Sequence, residues 1–95
     1  MEGRWVEKIP VIDLKATGKN ITRLRDEAGL SVKDLARLLG LGSPHAVYKW
    51  QGGINMPTID NLVIMAAILG TTIDAIVVMV MVDTSENNTD RIRCR

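Results

Sequence analysis

Between Ser43 and Lys49 the chain gathers a hydroxyl, its single imidazole, its single phenol and an ammonium, on Ser43, His45, Tyr48 and Lys49. On a helix, positions 45, 48 and 49 share one face, so Ser43, Pro44, His45, Ala46, Tyr48 and Lys49 would line the outer side of one short element. These groups suit the edges of DNA bases. An imidazole donates or accepts, a lysine reaches guanine acceptors or a phosphate, and Pro44 and Ala46 offer apolar contact of the kind a thymine methyl makes. Tyr48 fits a backbone contact through its hydroxyl. His45 reads equally well as a solvent-exposed residue of a first helical turn. The leading end of the set has no arginine, asparagine or glutamine, so modest base discrimination is expected, with duplex shape supplying much of it.

Side chains that read a duplex must be held out by something rigid, and the flanking sequence supplies it. Val32, Leu35, Ala36 and Leu39 recur at i, i+3, i+4 and i+7, one apolar stripe of a helix that Ser31 can cap. Gly40 ends that helix, Gly42 lets the chain turn again, and Ser43 and Pro44 read as cap and first residue of the next. The second helix buries Val47 and Trp50 and stops at Gly52 and Gly53. Ala36 has a side chain small enough for the two helices to approach closely. Upstream, Ile21, Leu24 and Ala28 make a helix ending at Gly29. Downstream, Pro57 and Thr58 open a helix with Ile59, Leu62, Ala66 and Leu69 inward, closed by Gly70, and a short last helix from Thr72 uses Ile73, Ile76 and Val77.

Over roughly residues 19 to 77 the chain resembles the lambda-repressor and Cro family of helix-turn-helix regulators, also called the xenobiotic-response-element family. The resemblance is carried by Leu24, Arg25, Gly29 and Leu30; by Leu35, Ala36, Leu39 and Gly40; by Val47, Trp50 and Gly53; and by Pro57, Ile59, Leu62, Ala66, Leu69 and Ile76. It implies a mainly α, five-helix DNA-binding domain in which the helix from Ser43 to Gln51 enters the major groove, as one half of a dimer. The chain departs from the family pattern in three places. Its turn between Gly40 and Val47 is one residue longer, with Gly42 absorbing the insertion. Val32 stands where a phosphate-bonding glutamine is common. Gln51 stands where an acidic residue usually pairs with the arginine of the first helix, so Arg25 is expected to hydrogen-bond Gln51 and keep spare charge for a phosphate. The expected phosphate contacts are therefore Lys19, Arg25, Gln51 and the helix start at Ser31, Val32 and Lys33. The helix start at Thr58 ranks lower because Asp60 opposes an anion there.

Charge placement agrees with a polyanion on one side only. The whole chain carries +1, yet Thr17 to Gly53 holds six basic residues against three acidic, whereas Ile54 to Val82 holds Asp60, Asp74 and no base. Metal-ligand clusters, phosphate-binding glycine loops and nucleophile–base pairs are absent, so neither an enzyme nor a cofactor is expected. Ninety-five residues at 46% apolar content suffice for one core.

The remaining apolar residues lie away from the reading helix. Leu62 to Leu69 is apolar all round, which predicts a fourth helix covered on more than one face. Val77 to Val82 reads as a strand, far too short to cross a bilayer, and its only candidate partner is Trp5 to Leu14, where Pro10 favours an edge. The expected architecture is an N-terminal strand segment (1–16), the helix-turn-helix domain (17–77), a C-terminal strand (78–83) that joins the first in a small antiparallel β-sheet, and a free polar tail (84–95). Val63, Met65, Val78, Met79, Val80 and Met81 are the expected dimer interface. The lone Cys94 points to a reducing, cytoplasmic setting. The sequon at Asn87 follows no secretory signal. Double-stranded DNA and a second copy of the chain are the expected partners, for a transcriptional repressor. An antitoxin-like subunit whose apolar surface covers a partner protein is the alternative.

Overall fold

The computed structural model describes residues 8–83, so Trp5 and the tail from residue 84, with Asn87 and Cys94, lie outside the described residues. The order of elements is β1 (Lys8–Ile12), α1 (Leu14–Glu27), α2 (Val32–Leu38), α3 (His45–Gln51), α4 (Ile59–Leu69), α5 (Ile73–Ile76) and β2 (Met79–Asp83). Among the described residues, five helices enclose one core, and β1 and β2 pair antiparallel as a two-stranded ribbon.

Helix α1 starts earlier than the apolar pattern suggests. Asp13 caps it, its carboxylate accepting from the Ala16 amide at 2.9 Å, so residues 14–16 are helical rather than part of a strand segment. The reason lies in what α1 must reach. Thr17 is fully buried, and its hydroxyl accepts from the Val78 amide at 2.9 Å, tying the start of α1 to the entry of β2. One residue on, a Cβ at Gly18 would lie 2.4 Å from the Trp50 carbonyl oxygen. Only a residue without a side chain lets α1 and α3 meet there. Asn20 then donates to the carbonyls of Ala75 and Ile76, pinning the end of α5.

Ile21, Leu35, Leu39, Val47, Trp50, Leu62, Met65 and Ile76 form the core with Ala36 and Ala66. Three expectations about α4 fail within the chain. Ile59 is 71% exposed, because the first turn of α4 stands beyond the core and the buried Pro57 lies at that end instead. Met65, expected at a dimer interface, is fully buried inside the monomer, one turn from Leu62 and on the same face. The helix is covered on one face only, since Val63 and Ile64 remain exposed.

The ribbon runs in the register Lys8 to Asp83, Pro10 to Met81 and Ile12 to Met79. Its strands contact chiefly each other, while the helices pack α1 on α3 and α5, α2 on α3, and α4 on α5. The molecule is accordingly elongated, 48 × 22 × 20 Å.

Candidate nucleic-acid interface

Ser31 and Asp34 set the start of α2 by a reciprocal pair of bonds. The Ser31 hydroxyl accepts from the Asp34 amide at 3.0 Å, and the Asp34 carboxylate accepts from the Ser31 amide at 3.1 Å. This capping box withdraws the Ser31 amide from phosphate binding and places a carboxylate beside those of Val32 and Lys33. The bonds from Ser31 hold the Asp34 carboxyl below the ordinary aspartate range. Val32 packs partly buried against the core, leaving the exposed ammonium of Lys33 as that segment's cationic group.

At the other end of α2, Gly40 takes φ +76°, and the next amide, that of Leu41, reaches back to the Ala36 carbonyl at 2.9 Å. The left-handed residue ends the helix while its last carbonyls stay bonded. Gly42 needs no such freedom: its φ is not positive, and a Cβ there would meet nothing within 4 Å. The expected cap of α3 also moves by one residue. The Pro44 carbonyl accepts the first helical bond, from Tyr48 at 3.1 Å, so Pro44 is the cap and His45 the first helical residue. The Ser43 hydroxyl sits 3.4 Å from the His45 amide.

Val47 and Trp50 bury the inner side of α3 and thereby turn His45, Tyr48 and Lys49 outward as a three-and-four spaced set. Ala46 departs from its expected place, packing partly buried against the core because it neighbours that inner stripe. Leu41, Gly42, Ser43, His45, Ala46, Lys49, Trp50 and Asn55 line an open groove of about 420 Å³. The exposed Asn55 has no place in the apolar pattern. It sits in the loop after α3, and its amide, able to donate and accept, faces the same groove as His45 and Lys49. The sequence signal for it is a polar residue just beyond the helix end, within reach of the surface that helix presents.

Arg25 and Gln51 do meet. The Arg25 Nε donates to the Gln51 Oε1 at 2.9 Å, but Nη1 donates to the Leu30 carbonyl at 2.7 Å and lies 3.2 Å from the Asp26 carboxylate. With its side chain 13% exposed, Arg25 is a strut joining α1 to α3 and to the loop between α1 and α2. Its Nε and Nη1 are engaged within the chain, and Gln51, partly buried beneath it, is its partner. Lys19 is exposed but lines a different groove, with Ala16, Asn20, Arg23 and Val78 beside the root of the ribbon. Ser43, His45, Tyr48, Lys49 and Asn55 are thus brought together, and Lys19, Arg25 and Gln51 are not among them.

Two short helices joined by a glycine turn, one bedded on the core and presenting an outward polar face, define a helix-turn-helix DNA-binding domain of the transcription-regulator type. The chain belongs to the helix-turn-helix family HTH_3, whose model matches residues 21–76. Among solved structures, the restriction-modification controller protein C.AhdI from Aeromonas hydrophila superposes with a TM-score of 0.62 at 28% identity, over 67% of this chain and 91% of that one. An HTH_3 family transcriptional regulator from Vibrio cholerae matches with a TM-score of 0.58 at 26% identity, over 67% of this chain and 35% of its own. Hydroxypropylphosphonic acid epoxidase from S. wedmorenis matches at 27% identity and a TM-score of 0.63, over 70% of this chain and 35% of that enzyme. None of the curated proteins matches the chain.

Proposed function

We propose that the protein is a cytoplasmic transcriptional repressor that binds double-stranded DNA as a homodimer, laying α3 in the major groove. The observation that carries this reading is the groove beside α3, where His45, Lys49 and Asn55 converge while buried Val47 and Trp50 fix the helix that holds them. Bases are read by His45 and Lys49 with Asn55 at the side, Tyr48 meets the backbone, and Lys33 adds a phosphate contact. The similarity to a controller protein over nearly all of that protein's length supports a regulator working through this domain. Similarity to the epoxidase covers about a third of the enzyme and supports shared use of a helical domain, without its chemistry. Dimerisation rests on exposed apolar surface: Val63 on α4, with Met79, Val80 and Met81 on the ribbon. Val78 contributes less, because it is partly buried at the root of the ribbon, where its amide and carbonyl are tied to Thr17 and Asp13.

The test is selection of the purified protein against random duplex DNA, followed by binding of the enriched sequence at two salt concentrations. Enrichment of a palindrome whose affinity falls steeply with salt supports the reading. Absence of enrichment, with weak binding even at low salt, overturns it and turns attention to a partner protein on the apolar surface.

A further inference from the structure

The two edges of the ribbon differ in kind. Asp13 and Val78 stand opposite each other one step beyond the Ile12 to Met79 pair, and the Asp13 amide donates to the Val78 carbonyl at 2.8 Å. That bond sets the alternation of the antiparallel ladder: Val11 with Val80 and Ile9 with Val82 are hydrogen-bonded pairs, and Pro10 with Met81 is not. At a pair of the second kind the backbone groups point away from the partner strand. Pro10, which has no amide hydrogen, therefore sits in the middle of the outer edge of β1 and breaks its row of donors. On β2 the outward groups at Met79 and Met81 are complete, and both side chains are more than half exposed. Among the described residues, one edge is blunted and the other left open.

We infer that the open edge of β2 pairs antiparallel with β2 of a second copy, centred on Met81, to form a four-stranded sheet in the order β1-β2-β2-β1. This rests on the dimeric reading above and specifies its interface. A strand paired antiparallel with itself has two-fold symmetry, as an isologous dimer requires. The assembly also stops at two copies, because joining the β2 edges leaves only the Pro10-bearing β1 edges outside. Charge is compatible with it: Met81 meets Met81 on the axis, Val80 lies beside Val82 of the second copy, and Asp83 faces Met79, so no like charges are opposed.

Met81→Pro tests the inference, since it removes one outward amide as Pro10 does on β1 and leaves the β1–β2 bonds in place. In sedimentation velocity the parent is expected at twice the 10.5 kDa chain mass and Met81→Pro at the chain mass, with an unchanged helical circular dichroism spectrum. Met81→Lys puts two ammonium groups on the axis and should also give monomers, whereas Pro10→Ala should not. If Met81→Pro fails to fold, the Met81→Lys mass decides, together with a Met81→Cys variant in a Cys94→Ser background, in which the axial cysteines should crosslink. A monomeric parent, a dimer that survives both Met81→Pro and Met81→Lys, or no crosslink, would each overturn the inference. Dimers that bind no duplex would instead count against the DNA-binding reading alone.

Discussion

Lys49 and Arg25 are both cations near α3, yet the fold gives them opposite tasks. Lys49 stands exposed on the outer face with no ion pair among the described residues, so its charge is available to an anion. Replacing it by alanine should weaken duplex binding and lower the magnitude of the salt slope by about 0.9 if it meets a phosphate. The melting temperature should stay near that of the parent. Titrations of parent and Lys49→Ala across salt concentrations check this, and parental affinity in the variant removes Lys49 from the interface. Arg25 is held by Gln51 and the Leu30 carbonyl, so its loss should act on stability. Gln51→Ala leaves the partly buried Nε without its acceptor and should cost about 1 kcal/mol or more, read as a lower urea midpoint. The Arg25–Gln51 bond was legible because a resemblance places the two positions opposite each other. The bond from Arg25 to the Leu30 carbonyl was not, since a backbone acceptor leaves no mark in the residue types.

At the scale of the elements, the decisive contact is the crossing of α1 and α3. A Cβ on Gly18 would fall 2.4 Å from the Trp50 oxygen and 2.5 Å from that of Gln51, both backbone atoms. Gly18→Ala must therefore move one helix off the other, and about 3 kcal/mol or more of stability should be lost, at the upper end of overpacking. Gly42→Ala, in open space, should stay within about 0.5 kcal/mol of the parent. Urea denaturation of the pair measures both, and equal midpoints would show that the crossing is not tight. The capping box of α2 makes a separate prediction in acid. Hydrogen bonds from Ser31 lower the Asp34 pKa in the folded chain, so its stabilisation is present above the ordinary aspartate range and lost as pH falls through and below it. Asp34→Asn should flatten that part of the stability curve, as measured by melting temperature from pH 6 to pH 2, and a slope equal to the parent's would remove Asp34 as a contributor. Helices α2 and α4 were legible because their stripes repeat over two or more turns. The start of α1 was not, because Thr17 and Gly18 break the apolar period at the place where close packing demands a small residue and a buried hydroxyl. The same limit explains Ile59 and Met65. Periodicity assigns a face to a helix, but it does not say where the core ends along the axis or which of two apolar faces it meets.

For the whole molecule, the weak net charge and the narrow set of reading groups limit what one copy can achieve alone. A charge of +1 gives little long-range attraction to DNA, and the five proposed contact groups on one short helix and loop would make few base contacts. Specific binding should therefore depend on two copies engaging together, where tethering the second contact multiplies affinity by about 10²–10⁴ without any new group at the site. The proposed two-fold pairing would fix the separation and rotation of the two α3 helices, and a duplex would then match them only if its half-sites lie about one helical turn apart. Inserting roughly five base pairs between the half-sites turns one of them to the opposite face of the duplex, near half of the 10 to 10.5 base-pair repeat. Affinity for the split site should then fall to that of an isolated half-site, and about ten inserted pairs should restore part of it. Titration of the intact, half-turn and full-turn duplexes with one protein preparation checks the phase dependence. An affinity indifferent to spacing would mean that the copies bind DNA independently, and that the ribbon serves some other association.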